Sequence, residues 1–415
     1  MNVYIETYGC SANQAHSEIM EGMLEANGLK IVKNYESADV IIINTCIVKT
    51  PTENRIRERL KFFVKNFPSK KLVITGCAAD VGLFKDIAPS AIFLSSHKPK
   101  EIVKIILGKG NCEEKRKRKN NLISIVEISS GCLGDCSYCI VKLARGKLKS
   151  KKPEEIFKEV KEAIEEGCKE IWLTSQDCGC YGLDIGTNLA ELVERIINIE
   201  GDFSIRMGMM NPTHIKPFIE KLSELYQNPK IYKFAHIPVQ SGSDKILKAM
   251  KRGYSVKEFE RIVKILRKNI PDITISTDII VGFPGETEND FEKTLKFLKK
   301  VEPDIINLSK FEPRPKTEAA KMKQVDKKIV KKRSKKIAEI IRKISERKNR
   351  KWIGKECEIV VTEKGKKGQQ FVGRNEYYKP VIIESKDDIL GEKIKVKIIE
   401  AGQSHLLGEI LKSSA

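Results

Sequence analysis

The chain has 415 residues, 40% hydrophobic and 32% charged, a length that exceeds one ordinary core and calls for two to four domains. No run approaches the ~18 apolar residues of a membrane span, and the start MNVYIETYGC lacks the basic and apolar stretches of a secretory signal, so the expected compartment is the reducing cytoplasm. There the eleven cysteines do not read as a disulfide framework; the formal net charge of +21 favours a polyanionic partner such as nucleic acid, although a Lys-, Glu- and Ile-rich chain also suits a heat-adapted proteome.

Residues 1–110 alternate apolar runs (NVYIE, DVIIIN, KLVIT, AIFLS) with helical patterns (QAHSEIMEGMLEAN, ENRIRERLKFFVKNF), the signature of an α/β domain with an open parallel sheet. The segment EEKRKRKNN (113–121) interrupts this and reads as a solvated linker. From 122 to 325 the alternation resumes, with strand-like LISIVEIS, EIWLTS, FSIRMGM, KFAHIPV, ITISTDIIVGF and IINLSKFEP separated by helices. Six βα repeats fall short of the eight of a closed barrel and predict a partial (βα)6 barrel.

Residues 326–351 carry thirteen Lys and Arg against three Asp and Glu, nearly half of the charge excess. Val330, Ile337, Ile341 and Ile344 recur at helical spacing, so the segment reads as an amphipathic helix with one docked face. Beyond it, 352–412 hold five short strands (CEIVVTEKG, QQFVGRN, KPVIIES, EKIKVKIIEA, HLLGEIL), which predict a small β-barrel.

Six cysteines form two groups of three. Cys10, Cys46 and Cys77 each follow a predicted strand, 36 and 31 residues apart; loops after the carboxyl ends of parallel strands line one crevice, so the three thiols should converge. Cys132, Cys136 and Cys139 lie in GCLGDCSYCIVKLARG, directly after the first barrel strand. A zinc knuckle ordinarily needs a matching second pair, and none follows at suitable spacing; soft thiolates suit iron–sulfur clusters equally well. Three cysteines on a four-iron cubane leave one iron free to bind a small molecule. Cys112, Cys168 and Cys357 read as small buried hydrophobes, whereas Cys178 and Cys180, in QDCGCYG, are left open between that role and proximity to a site.

The spacing C-x3-C-x2-C with an aromatic, Tyr138, before the last cysteine resembles the radical S-adenosylmethionine (SAM) enzymes. With the upstream triad and the terminal barrel, the whole chain resembles the methylthiotransferases. The stretches EIWLTSQDCGCYGLDIGTNL, RMGMMNPTHI, HIPVQSGSDKILKAMKRGY, STDIIVGFPGET and FEPRPKTEAAKM resemble the archaeal and eukaryotic branch acting on tRNA N6-threonylcarbamoyladenosine. GCLGDCSYC lacks the Asn-type residue often seen after Leu133, and RPKTEAA replaces an RPGTPAA-like run; neither departure touches a thiolate.

The resemblance implies an α/β protein of three parts: an open parallel-sheet domain, a radical SAM partial barrel and a TRAM-like RNA-binding β-barrel. It implies two [4Fe–4S] clusters, one on Cys132, Cys136 and Cys139 that binds and cleaves SAM, and an auxiliary one on Cys10, Cys46 and Cys77 that carries sulfur. The implied product is the 2-methylthio derivative at tRNA position 37, beside the anticodon. SAM contacts are expected at strand ends: Tyr138, Ser175, Gln176, Arg206, Gln240, Asp278 and Gly282, each of which also has an ordinary packing or turn reading. His236, before a strand end, reads as structural.

RNA contacts are expected from Lys331, Lys332, Arg333, Lys335 and Lys336; Arg145, which closes the cysteine loop, reads equally as an RNA contact or a surface charge. The expected partners are the tRNA anticodon stem-loop, an electron donor and a sulfur source, with the protein a monomer away from membranes. Competing readings keep the chemistry on isopentenyladenosine or on a ribosomal-protein aspartate, or make the chain a non-catalytic RNA-binding iron–sulfur protein.

Overall fold

The computed structural model describes residues 1–108, 113 and 115–411. Cys112 lies outside the described residues. Strands β1 (Asn2–Thr7), β2 (Lys30–Ile31), β3 (Val40–Thr45), β4 (Lys71–Gly76) and β5 (Ile92–Phe93) form a parallel sheet in the order β2-β1-β3-β4-β5. The two-residue β2 is too short to read from sequence. β3, VIIINT, is buried along its whole length, as a central parallel strand covered on both faces must be. Ile41 and Ile43 pack with Ile56, Leu60 and Phe63; Val40 and Ile42 face the opposite layer with Met20, Leu24 and Ile102.

The basic segment after this unit is not a solvated linker. Arg116 lies across the helix Ser11–Ala26, donating through Nη2 to Glu18 Oε2 at 2.7 Å and Ile125 O at 2.7 Å, and through Nη1 to Glu159 Oε1 at 2.9 Å. Glu18 is buried, and a buried carboxylate needs a hydrogen-bonded cation; that need docks the segment.

β6 (Ile123–Glu127) leads into an antiparallel ribbon, β7 (Ser129–Ser130) with β8 (Lys149–Ser150), that closes the cysteine loop. β9 (Glu170–Thr174) and β10 (Ser204–Met207) complete one parallel sheet with β6; β11 (Phe234–His236), β12 (Thr274–Val281) and β13 (Ile305–Lys310) form a second. Backbone bonds between Ile205 and the segment 230–232 join the two into one arc of six strands. Among the described residues β6 and β13 do not pair with each other, so the barrel is open along that side. Helices coat the outside; those at Val256–Asn269 and Glu288–Val301 start on capping boxes, Ser255/Glu258 and Thr287/Asp290.

The basic segment forms the 24-residue helix Lys327–Arg350, which buries Val330, Ile337 and Ile344 against the barrel. Arg333, expected on RNA, is instead 5% exposed and donates to Glu286 Oε2 at 2.8 Å and Glu288 Oε2 at 3.0 Å. It sits three residues after Val330 on the docked stripe, where a guanidinium must be paired.

β14 (Glu356–Lys364), β15 (Gln370–Asn375), β16 (Pro380–Glu384), β17 (Lys393–Ala401) and β18 (Leu406–Ile410) close a barrel in the order β14-β15-β16-β18-β17. Its β15–β16 turn enters the amino-terminal end of the larger barrel. The Tyr378 ring lies 4.9 Å from that of Tyr232 and 5.0 Å from that of Phe234, and Arg374 approaches the fully buried Glu170 at 3.7 Å. Glu170 and Phe234 are the first residues of β9 and β11, so this end is plugged and the carboxyl ends of the strands remain for a site. Among the described residues no helix is long and apolar enough to cross a membrane.

Gly76 joins β4 to the turn that carries Cys77, with φ at +87° and room for no Cβ, which would sit 2.2 Å from Thr45 O. Gly76→Ala is expected to cost about 1–3 kcal/mol or more in a thermal-denaturation measurement, whereas Gly368→Ala, with nothing within 4 Å, stays within about 0.5 kcal/mol of the parent.

Candidate functional site

The three upstream cysteines occupy successive strand ends around the point where strand order reverses, between β1 and β3. Cys10 is the N-cap of Ser11–Ala26, Cys46 follows β3, and Cys77 opens the short helix Cys77–Asp80. Their loops converge: a Cβ on Gly9 would lie 3.1 Å from Cys46 Sγ, and its φ of +112° likewise favours glycine. Asn13 ties the loops by donating to Tyr8 O and Thr45 O, each at 2.8 Å. Cys46 and Cys77 are buried and Cys10 is exposed, which leaves an accessible side. Burial pushes the Cys77 thiol up to about 11, with the neighbouring Arg145 pulling the other way; burial also raises Cys46. Thiols that ionise reluctantly on their own, grouped beside a cation with one side open, fit a soft metal cluster that would draw off their protons.

The downstream triad sits in a loop pinned on all sides. Gly131 N donates to Gln176 Oε1 at 2.7 Å, Ser137 Oγ to Ala249 O at 2.8 Å and Ala319 N to Ser137 O at 2.9 Å. Gly134 lies between two thiols, its Cβ position 3.3 Å from Cys132 Sγ and 3.7 Å from Cys136 Sγ, and its N–H donates to Cys132 Sγ at 3.2 Å. Arg252 Nη1 donates to Cys136 Sγ at 3.3 Å. Burial raises Cys139 to about 11.

Cys180, left open by the sequence, belongs to this site. Its thiol donates to Asp177 O at 3.1 Å, and its position beside Cys132 draws that thiol down to about 7, while burial works against the shift. Donor atoms of Cys132, Asp177 and Cys180 lie within 4.8 Å of one another. Asp177 is held by the Gly179 and Asn211 N–H groups, both at 2.9 Å, and by His214 Nδ1 at 2.6 Å. Cys178, two residues earlier, packs in the barrel core below Gly208. Cys168 is buried in the same core, and Cys357 packs against that of the small barrel.

The expected SAM residues fall along the strand ends with differing freedom. Ser175 bonds Cys178, and Gln176 spends its amide oxygen on the cysteine loop. Arg206 points into the lumen over the rings of Trp172, Phe234 and Tyr378, its buried Nε without a protein partner. Gln240 has a φ of +70° and joins β12 through Asp278 O and Ile280 N. Asp278 accepts from His236 Nε2 at 3.0 Å and Asn307 Nδ2 at 2.9 Å, so His236 orients a strand-end carboxylate. Tyr138 packs edge-on to Phe283, 6.3 Å between centroids. Gly282 is packed by Val330, whose Cγ2 lies 2.3 Å from where a Cβ would be; the residue is a passage for the long helix.

The RNA expectation for Arg145 is corrected. The residue is 2% exposed and its Nε donates to Cys77 Sγ at 3.1 Å, so no phosphate can reach it. Lys331, Lys332 and Lys335 are exposed, and Lys336 pairs with Glu292 at 2.7 Å. Arg252, His214 and Arg314 were not singled out from sequence. Arg314 donates to Ile47 O, next to Cys46, at 2.8 Å. No cysteine lies near them in sequence to mark them.

A partial barrel of six parallel strands with a three-thiol loop after its first strand is the frame of a radical SAM enzyme, and a second thiol set lies on an adjoining parallel sheet. The Radical SAM superfamily model matches residues 126–298, Uncharacterized protein family UPF0004 matches 2–88 and the TRAM domain matches 350–411. The chain is similar to the probable threonylcarbamoyladenosine tRNA methylthiotransferase of Pyrococcus horikoshii, at 41% identity over 99% of this chain and 100% of that one. It is similar too to the threonylcarbamoyladenosine tRNA methylthiotransferase of Homo sapiens, at 35% identity over 98% of this chain and 73% of that one. In fold it resembles the radical S-adenosylmethionine methyltransferase TsrM from Kitasatospora setae, with a TM-score of 0.57 and 13% identity over 77% of each chain. The chain therefore belongs to the threonylcarbamoyladenosine tRNA methylthiotransferase family.

Arg252 supplies a charged donor to Cys136 from the end of a different βα unit. Arg252→Ala is expected to shift the potential of the radical SAM cluster to more negative values and to lower the iron retained after gel filtration, with Arg252→Lys intermediate. Iron analysis and EPR-monitored redox titration read both effects.

Proposed function

We propose that the protein methylthiolates tRNA, converting N6-threonylcarbamoyladenosine at position 37 into its 2-methylthio derivative. The observation that carries this reading is the presence of two separate three-thiol sets, each at strand ends and each one ligand short of a four-iron cluster. Membership of the family, with relatives that bear this activity in their names matching 98–99% of this chain, supports the substrate.

Cys132, Cys136 and Cys139 would hold the cluster that receives SAM, and Cys10, Cys46 and Cys77 a second cluster. When bound, these groups supply a radical able to take the unactivated hydrogen at adenine C2 and a sulfur to replace it. The chain's own residues do the placing. Gly134 and Arg252 hold the thiols of the first set by hydrogen bonds, and Cys180 lies beside Cys132. Gln240 and Asp278, on neighbouring strands, offer polar groups to SAM, whereas the Arg206 guanidinium faces the rings that plug the amino end. The exposed Lys331, Lys332 and Lys335 and the terminal barrel would take the RNA backbone, positioning tRNA without reading bases. The setting is the cytoplasm, with an electron donor and a sulfur source as partners.

Nucleoside mass spectrometry of tRNA from a strain lacking the gene decides the assignment: the methylthiolated threonylcarbamoyl nucleoside should disappear, and its persistence with no second copy present would sink it. Anaerobically reconstituted protein should bind about eight irons per chain. Cys136→Ala should stop SAM cleavage, whereas Cys46→Ala should spare it and stop sulfur insertion. Replacing Lys331, Lys332 and Lys335 together with Ala should weaken tRNA binding across sequences and reduce the log–log salt slope by about two to three.

A further inference from the structure

Arg145 ends the five-residue helix Val141–Arg145, into which the radical SAM cysteine loop runs, six residues beyond Cys139. Its side chain leaves that module and enters the other. Nε donates to Cys77 Sγ at 3.1 Å and Nη2 to Asn13 Oδ1 at 3.1 Å, where Asn13 is the residue that ties the Cys10 and Cys46 loops. Nη1 stands 3.9 Å from Glu127 Oε1, too far for a hydrogen bond. Glu127 spends its other oxygen on His16 Nε2 at 2.8 Å. Arg145 Nη1, Glu127 Oε1 and His16 Nδ1 are all buried without a protein partner.

A buried guanidinium with an unused N–H is costly unless an anion completes it. Glu127 lies within ion-pair distance but is shared with His16 and leaves Nη1 without a hydrogen bond, and the Cys77 side, to which Nε points, offers further negative charge. A cluster held by three thiolates is an anion of the required kind, with sulfur acceptors along its edges. We infer that Arg145 is a positioning residue for the auxiliary cluster: it gives that cluster a buried positive charge and N–H donors at Cys77, and it fixes the cluster relative to the radical SAM loop of which it is itself part. This rests on the reading that Cys10, Cys46 and Cys77 hold a cluster. Its redox consequence follows from charge: a neighbouring cation and hydrogen bonds to sulfur favour the reduced, more negative state. Losing them lowers the potential.

The test uses full-length, anaerobically reconstituted protein in two backgrounds. Cys136→Ala leaves the auxiliary cluster as the one under observation, and Cys46→Ala leaves the radical SAM cluster. Arg145→Gln in the Cys136→Ala background should lower the reduced-to-oxidised ratio at fixed potential at least tenfold, which is about 59 mV for a one-electron couple. Arg145→Lys, which keeps the charge and loses the fork, should recover part of the shift. In the Cys46→Ala background neither change should move the potential or the iron content. If Arg145→Gln loses iron in the first background alone, the inference is likewise supported.

An unshifted potential with about four irons bound would overturn it and leave Arg145 as a strut between modules. So would equal iron loss in both backgrounds, since a strut serves both clusters alike. Absence of iron from the Cys136→Ala parent itself would instead overturn the second-cluster reading on which the inference stands.

Discussion

Parallel strand direction is the constraint on which the rest of this molecule depends. In both sheets every crossover returns the chain to the same edge, so every carboxyl end, and every loop that follows one, gathers on one side. That is how Cys10, Cys46 and Cys77, scattered over nearly seventy residues, become neighbours, and how Gln176 comes to bond the cysteine loop that follows β6. The amino ends carry no such burden. There Tyr378 and Arg374 of the terminal barrel fill the mouth of the larger one against Phe234 and Glu170, so the structural and chemical work are divided between the two ends of the same strands.

Charge holds the two thiol-bearing units together. Arg116 satisfies Glu18 and Glu159 from either side of their boundary, Arg314 reaches the carbonyl beside Cys46, and Arg145 reaches Cys77. Each of these cations is mostly buried, and each joins segments far apart in sequence. Breaking one would strand a partner in a region that water cannot easily reach, a more severe loss than removing a surface pair. The interface is therefore specified by a few long arginine side chains as much as by apolar packing.

The elements were legible where periodicity is local. The strands of the three parts, the long basic helix and the set Cys132, Cys136 and Cys139 follow from patterns that a short window contains, whereas Cys10, Cys46 and Cys77 match no short pattern and are read from their places after successive strands. What escaped was whatever depends on the partner. Arg145 and Lys331 are both basic residues beside a functional segment, and sequence ranks them alike; one ends in a thiol pocket and the other in water, because only the fold decides which way the short helix Val141–Arg145 faces. Arg252 meets a cysteine 116 residues away and Cys180 one that is 48 away, separations over which no spacing rule operates. Arg333 was misjudged for a related reason: its charge hid its place on the same stripe as Val330 and Ile337. The segment 113–121 was misjudged because five basic residues look solvated until Glu18 is found buried opposite them.

The helix Lys327–Arg350 begins beside Gly282, at the carboxyl end of β12, and finishes where Ser345 and Lys348 bond Asp304, just before β13 starts. It thus runs against the strands, from the chemical end of the barrel to the plugged one, over about 36 Å at 1.5 Å per residue. The small β-barrel hangs from its far end. The helix therefore spans the distance between the small barrel and the end where thiols gather, with exposed lysines along its outer side. A single turn of that helix spans about 5 Å, so its 24 residues separate the small barrel from the thiol-bearing end by several turns.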